Sequence, residues 1–231
     1  IRSIENQSKA DIAYDTAIDF AASGGFGYLR VSIEYAYDDS FDKCLRIDRV
    51  ANPLSVYGDP HSTMADSSDW NRAFVTDLMA KADFEAKYKG AEHVDWEALY
   101  DTLKMPWKED ESILVCESWK REEVQRKILL LPDNSVIGED EYKAGADYFQ
   151  SMGITPVNER MSKSHKVTQK IMTGAEVLET NEWAGRYIPV IPVYGEEVNV
   201  EGKRHFRSLI RDAKDAQRMF NYWRTNATEL V

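Results

Sequence analysis

A chain of 231 residues that is 43% apolar and 11% aromatic can bury one large core or two small ones. With 29 Lys+Arg against 40 Asp+Glu it carries −11, a field that repels phosphate and argues against a general nucleic-acid-wrapping role. No apolar run approaches the roughly 20 residues of a membrane helix, and no signal peptide opens the chain, which starts on polar sequence without Met and reads as cut from something longer.

In chain order, "SKADIAYDTAIDFAASGG" predicts a helix with Ile12, Ala13, Thr16, Ala17 and Phe20 on its apolar face and Gly24 as its stop. "FGYLRVSIEYAYDD" alternates as a strand and turns at Asp38-Asp39-Ser40 into a second strand, "CLRIDRV", which ends at Asn52-Pro53. A polar loop, "GDPHSTMADSSD", leads to a strand in "WNRAFVTDLMA" and a helix in "KADFEAKYKG" closed by Gly90. "SILVCESWKREEVQRKILLLPDN" predicts two strands across a charged connection, with a turn at Asp133-Asn134 before "SVIG". "EDEYKAGADYFQSMG" predicts a helix, and "HKVTQKIMTGAEVLETNEW" a strand pair turning at Thr173-Gly174. In "GRYIPVIPVYGEEVNVEG" two prolines interrupt an apolar run, the mark of an edge or bulged strand. The fold class is α+β.

The closing stretch, Lys203–Val231, has 7 Lys+Arg and 3 Asp+Glu, against the trend of the whole. It predicts a helix from Lys203 with an apolar stripe of Phe206, Leu209, Ile210, Ala213, Ala216, Phe220, Trp223, Ala227 and Leu230. Arg204, Arg207, Arg211, Lys214 and Arg218 are spaced 3, 4, 3, 4 and would form one cationic line on the adjoining face. That line is either a solvated face with local pairs or a surface for acid from a neighbouring chain or for phosphate.

Chemical motifs are few. "SGGFGYL" has the order helix, glycines, strand, the reverse of a phosphate-binding loop, and reads as a helix stop. His61, His93, His165 and His205 lie far apart, and none has a Cys or carboxylate at metal-ligand spacing. Cys44 and Cys116, each in an apolar segment, read as buried thiols and suit a reducing compartment. The carboxylates of "YDDSFD" and of the 58–69 loop read as solvated turns. Neither a catalytic site, a cofactor nor a metal is implied.

The run Gly174–Val231, with "IPVIPVYGE" followed by "LIRDAKDAQR", resembles the portal proteins of short-tailed phages of the P22-like group, and so do "GGFGYLRVSIEY" and "NPLSVYGDP" nearer the start. The resemblance implies a dodecameric ring at a unique capsid vertex of the virion, assembled in the host cytoplasm. Double-stranded DNA would be packaged and ejected through the ring. Terminase, tail adaptor, scaffolding and capsid proteins are the implied partners, with no membrane. It further implies a wing-like region at 1–138, a first stem-like helix at 139–152, a β-rich clip-like region at 153–202 and a truncated second stem-like helix at 203–231. Tyr187, Ile188, Pro189, Pro192 and Tyr194 would then face a neighbouring subunit or terminase, with strand addition at that edge. The five cations would face an adjacent subunit or the DNA channel. Two rival readings remain: a metal-dependent nuclease using the carboxylates of Asp38 to Asp48, and a stand-alone virion adaptor without DNA contact.

Overall fold

The computed structural model describes residues 1–92, 108–109 and 112–229. His93 and Leu230, named above, lie outside the described residues. Two compact units divide the chain, 1–69 with 189–231 and 70–188.

The first unit is built on a helix seam of alanines. Helix α1 (Arg2–Ser8) and helix α2 (Ala10–Gly24) are separated by Lys9, whose φ of 51° is left-handed. In α2 the buried positions are Ala10, Ala13, Ala17 and Ala21, a narrow stripe at i, i+3, i+4 spacing. The expected face is thus rotated: Ile12 is exposed, and the side toward the sheet has almost no side-chain volume. That smallness lets the helix lie on the backbone of strand β1 (Phe26–Tyr35). A Cβ placed on Gly27 would stand 2.2 Å from the Ala17 carbonyl oxygen. The helix stops at Gly25, with φ 99°, whose N–H returns to the Ala21 carbonyl at 3.0 Å.

β1 pairs antiparallel with β2 (Lys43–Arg49) and, on its other side, with β10 (Val190–Tyr194), giving the order β10-β1-β2. Leu29, Ile47 and Val193 pack beneath Ala13 and Ala17. The open edge of β2 is met by α1: the Ile47 N–H donates to Ser8 Oγ at 3.1 Å, and Arg46 reaches the Gln7 carbonyl. A 3-10 turn at Pro53–Ser55 leads to the short strand β3 (Val56–Tyr57).

The second unit is built on a sheet ordered β4-β6-β8-β9, with β4 at Arg72–Ala80, β6 at Ser112–Leu130, β8 at Asn158–Met172 and β9 at Val177–Trp183. β5 (Lys108–Glu109) and β7 (Val136–Gly138) pair with the two ends of β6. Helix α3 (Lys81–Lys87) seats Phe84 against Ile113 and Val115.

Two expectations are corrected here. Ser112–Leu130 is one strand of 19 residues, not two across a charged connection. Its charged middle survives as strand because β8 pairs along it from Cys116 to Leu130, and both faces there carry charges that pair locally, such as Lys163 with Glu123 at 2.9 Å. The helix expected at 139–153 is two single-turn pieces, α4 (Glu139–Ala144) and α5 (Ala146–Ser151), broken at Gly145, which lacks the Cβ and the helix propensity to continue.

Of the two cysteines, Cys116 is buried, and burial with the Glu117 charge pushes its thiol up to about 11, so it stays protonated; Cys44 is only half-buried.

Gly27→Ala must force α2 off β1 and is expected to destabilise the protein by about 2–3 kcal/mol. Gly24→Ala, with no atom within 4 Å of the added carbon, is expected to be neutral or mildly stabilising. Chemical denaturation of the two variants side by side checks this.

Candidate functional site

The basic segment does not form a helix from Lys203. Residues Lys203–Arg207 are strand β12, paired with β11 (Glu196–Val200) in register Val200↔Lys203. The turn between them is Glu201-Gly202, with φ 52° and 78°, the two-residue pattern of a type I′ hairpin. A 3-10 turn follows at Arg211–Ala213, and helix α6 runs only over Lys214–Glu229. A tight hairpin closed by Glu-Gly outcompetes the helical periodicity, because "KRHFR" also alternates with period two.

The cationic line is therefore divided among three elements. Arg204 and Phe206 share one face of β12 with Glu197 and Asn199 across the hairpin. Arg204 forks onto Glu197, Nε–Oε1 2.8 Å and Nη2–Oε2 3.2 Å, while Nη1 donates to Ser62 Oγ at 3.1 Å and to the Met64 carbonyl at 3.0 Å. Its guanidinium lies 5.1 Å from the Phe206 ring and 5.5 Å from Tyr194. Those two rings stack at 3.8 Å, and the Tyr194 hydroxyl meets Ser67 at 2.8 Å. Only 12% of the Arg204 side chain remains exposed, so this cation is a staple between the 58–69 loop and the hairpin. Arg207 pairs with Asp212 at 2.6 Å across the start of the 3-10 turn. Arg218 pairs loosely with Asp215 at 3.6 Å, and Arg211 and Lys214 have no ion pair among the described residues.

The loop clasped by Arg204 is organised by Asp69, which accepts from Thr63 N–H at 2.6 Å, Ser62 Oγ at 2.7 Å and Met64 N–H at 3.2 Å. Desolvation raises its pKa, but these donors outweigh it and hold the carboxyl at about 2.

Of the proline-rich edge strand expected at Tyr187–Tyr194, only Val190–Tyr194 is strand, β10 on the rim of its sheet, and residues 187–189 are not strand. Gly195 N–H donates to Gly25 and Val31 N–H to the Pro189 carbonyl, both at 2.8 Å, which fixes the hydrogen-bonded positions of the ladder. Pro192, opposite Tyr28, falls between them, and its missing donor faces the open edge. Ile188 and Pro189 are buried, Tyr194 is engaged with Phe206 and Ser67, and Tyr187 is 51% exposed beside the Arg121 guanidinium. An added strand at this edge would find no donor at Pro192.

Every residue of α6 is exposed, and its main packing among the described residues is on the turn before it. Ala216, Met219, Phe220, Trp223 and Ala227 share one arc, with Met219, Phe220 and Trp223 at 65%, 58% and 76% exposure. Lys214 and Arg218 lie across the helix from that arc rather than beside it. Sequence reasoning missed a second apolar surface, on the β1–β2 hairpin, where Ile33, Tyr35, Tyr37, Phe41 and Leu45 are all exposed. Its signal was present: apolar residues continue to alternate in "VSIEYAY" beyond the point where α2 can cover them. Among the described residues no three His, Cys, Asp or Glu side chains converge as a metal set would.

The family model for phage P22-like portal proteins matches residues 1–231. A curated portal protein of Acyrthosiphon pisum secondary endosymbiont phage 1 is 25% identical over 219 residues, which is 90% of this chain and 30% of that protein. The chain thus spans less than a third of that relative's length.

Arg204→Ala is expected to cost about 2–3 kcal/mol, since it strands Glu197 and the loop acceptors, whereas exposed Arg218→Ala should cost about 0.5 kcal/mol or less. Urea titration distinguishes the two. Asp69 stabilises the fold above about pH 4, and this contribution fades as pH falls toward about 2. Asp69→Asn should flatten that part of the acid-unfolding curve, as followed by circular dichroism.

Proposed function

The chain belongs to the family of P22-like phage portal proteins, and from that premise we propose that it is part of a ring at a capsid vertex through which double-stranded DNA enters and leaves. On this reading it is a structural component of the virion and not an enzyme. The ring is dodecameric, and terminase, tail adaptor, scaffolding and capsid proteins are its partners. Among the described residues no helix is long and apolar enough to cross a membrane.

The observation that carries the reading is α6. A helix with Met219, Phe220 and Trp223 in water is a surface that soluble proteins keep small unless something covers it. In a ring, neighbouring copies supply that cover. The rest of the molecule suits a channel wall. Outside Lys203–Val231 the chain has 22 Lys+Arg and 37 Asp+Glu, and an acidic wall avoids the phosphate neutralisation that would hold DNA in place.

The internal use of Arg204 and Arg207 narrows the cations available to a neighbour or to DNA to Arg211, Lys214 and Arg218. We assign the second stem-like role to α6 alone, and the wing-like and clip-like roles to 1–138 and 153–188. The pairing of β10 with β1 supports ending the clip-like region before Pro189. The two short helices α4 and α5 offer little length for a first stem-like element at 139–152.

Negative-stain micrographs and native mass measurement of the full chain test the proposal. A ring with a central hole and a mass that is an integral multiple of the chain is expected. A species that stays monomeric across salt and concentration would overturn it.

A further inference from the structure

Two exposed aromatic surfaces occur in the same compact unit, and they differ in charge. The first is the end of the β1–β2 hairpin. Leu29 and Ile47 on its inner face are covered by α2, but the same face continues uncovered through the Ile33–Leu45 pair to Tyr35. Past Tyr35 the loop adds Tyr37 at 73% and Phe41 at 96% exposure. This apolar tip has a net acidic rim: Asp38, Asp39 and Asp42 in a loop held by Ala36 N–H to the Asp42 carbonyl at 2.8 Å, against Lys43, which lies 5.8 Å from the Tyr35 ring. The second is the Met219, Phe220 and Trp223 arc of α6. Arg224 stands one turn beyond Phe220 at the border of that arc.

A closed ring needs two different patches on every copy, because head-to-tail contact joins one surface to another rather than to itself. We propose that the aromatic, acid-rimmed tip of the β1–β2 hairpin on one copy receives the apolar arc of α6 from the next copy, with Arg224 meeting Asp38, Asp39 and Asp42. The proposal rests on the ring reading and adds the pairing of surfaces to it. Apolar area meets apolar area, and the charges at the rim oppose in sign, which fixes orientation and disfavours tip-to-tip or helix-to-helix association. The contact is made by side chains, which fits the loss of a donor at Pro192 on the β10 edge.

The test uses the full chain with Cys44→Ser and Cys116→Ser, so that introduced thiols are alone among the residues named here. Phe41→Cys with Trp223→Cys, treated with a short bismaleimide, should give a ladder of covalent multimers on a denaturing gel. Leu54→Cys with Trp223→Cys serves as the comparison, since Leu54 is 71% exposed but lies outside the tip, and it should stay monomeric. In the second arm, Asp38→Lys with Asp39→Lys should lower the assembled fraction about tenfold, and adding Arg224→Glu should restore part of it, a gain that general loss of folding does not give. Rings that form in micrographs while neither cross-link nor charge rescue occurs would overturn the pairing and leave the ring reading intact. Absence of rings in the unaltered chain would overturn the ring reading itself. Cross-links from Phe41→Cys to itself across two copies, or only to another virion protein, would also overturn the pairing.

Discussion

The first unit depends on how closely α2 approaches the sheet. Ala17 and Ala21 lay their carbonyl oxygens where a Cβ on Gly27 or Gly195 would have to stand. Neither contact is large, but each is backbone against backbone, so nothing can yield by changing a rotamer. The chain passes this point three times. The Leu209 N–H donates to the Ala22 carbonyl at 3.0 Å, and the Arg207 carbonyl sits 2.5 Å from the Cβ that Gly195 lacks. The end of α2 is thereby the anchor for β1, β10 and the exit of β12. Since α6 starts only five residues after Leu209, that anchor also sets where the exposed helix leaves the unit.

The sequence was most legible where local chemistry and pattern agreed. Alternation in "FGYLRVSIEY" and a turn at Asp38-Asp39 produced β1 and β2 within a residue or two of expectation. The rim position of β10 followed from two prolines, because a missing N–H is tolerated only where no partner needs it. Reading failed where one segment satisfied two periods at once. In "KRHFR", positions 204 and 206 suit a strand, while 203, 206, 207 and 210 suit a helix. The choice fell to Glu201-Gly202 upstream and to Glu197, Ser62 and Tyr194, partners remote in sequence, which no local periodicity encodes. The same holds for α2: its spacing was visible, but that alanines rather than Ile12 and Phe20 would face the sheet depended on Gly27, which sits in a different element.

The long strand β6 shows a related ambiguity. "KREEVQRK" is too polar for a buried strand, and taken alone it reads as a loop. Paired with β8 it becomes a ribbon with charges on both faces, where Lys127 meets Glu159 at 2.7 Å and Lys120 meets Glu122 at 2.6 Å. Such exposed pairs contribute little each. Their value is partly negative: a charged ribbon edge resists pairing with stray strands, which a long bare apolar edge would invite.

Charge is distributed by a similar logic in the terminal segment. Its excess of cations suggested a surface for acid or phosphate, yet the structure spends its best-placed arginine inward. Arg204 is the cation whose removal from water is compensated, by a carboxylate fork, two further acceptors and two ring faces. A guanidinium engaged in that way has one N–H left, too few for a forked grip on a phosphate. Arg224, at the border of an unburied aromatic arc, has no ion pair among the described residues, and Arg218 has only the loose one to Asp215. Cations that water still solvates are the ones a partner can engage at low desolvation cost. What the segment offers outward is therefore decided less by how many cations it carries than by which of them the hairpin has already used.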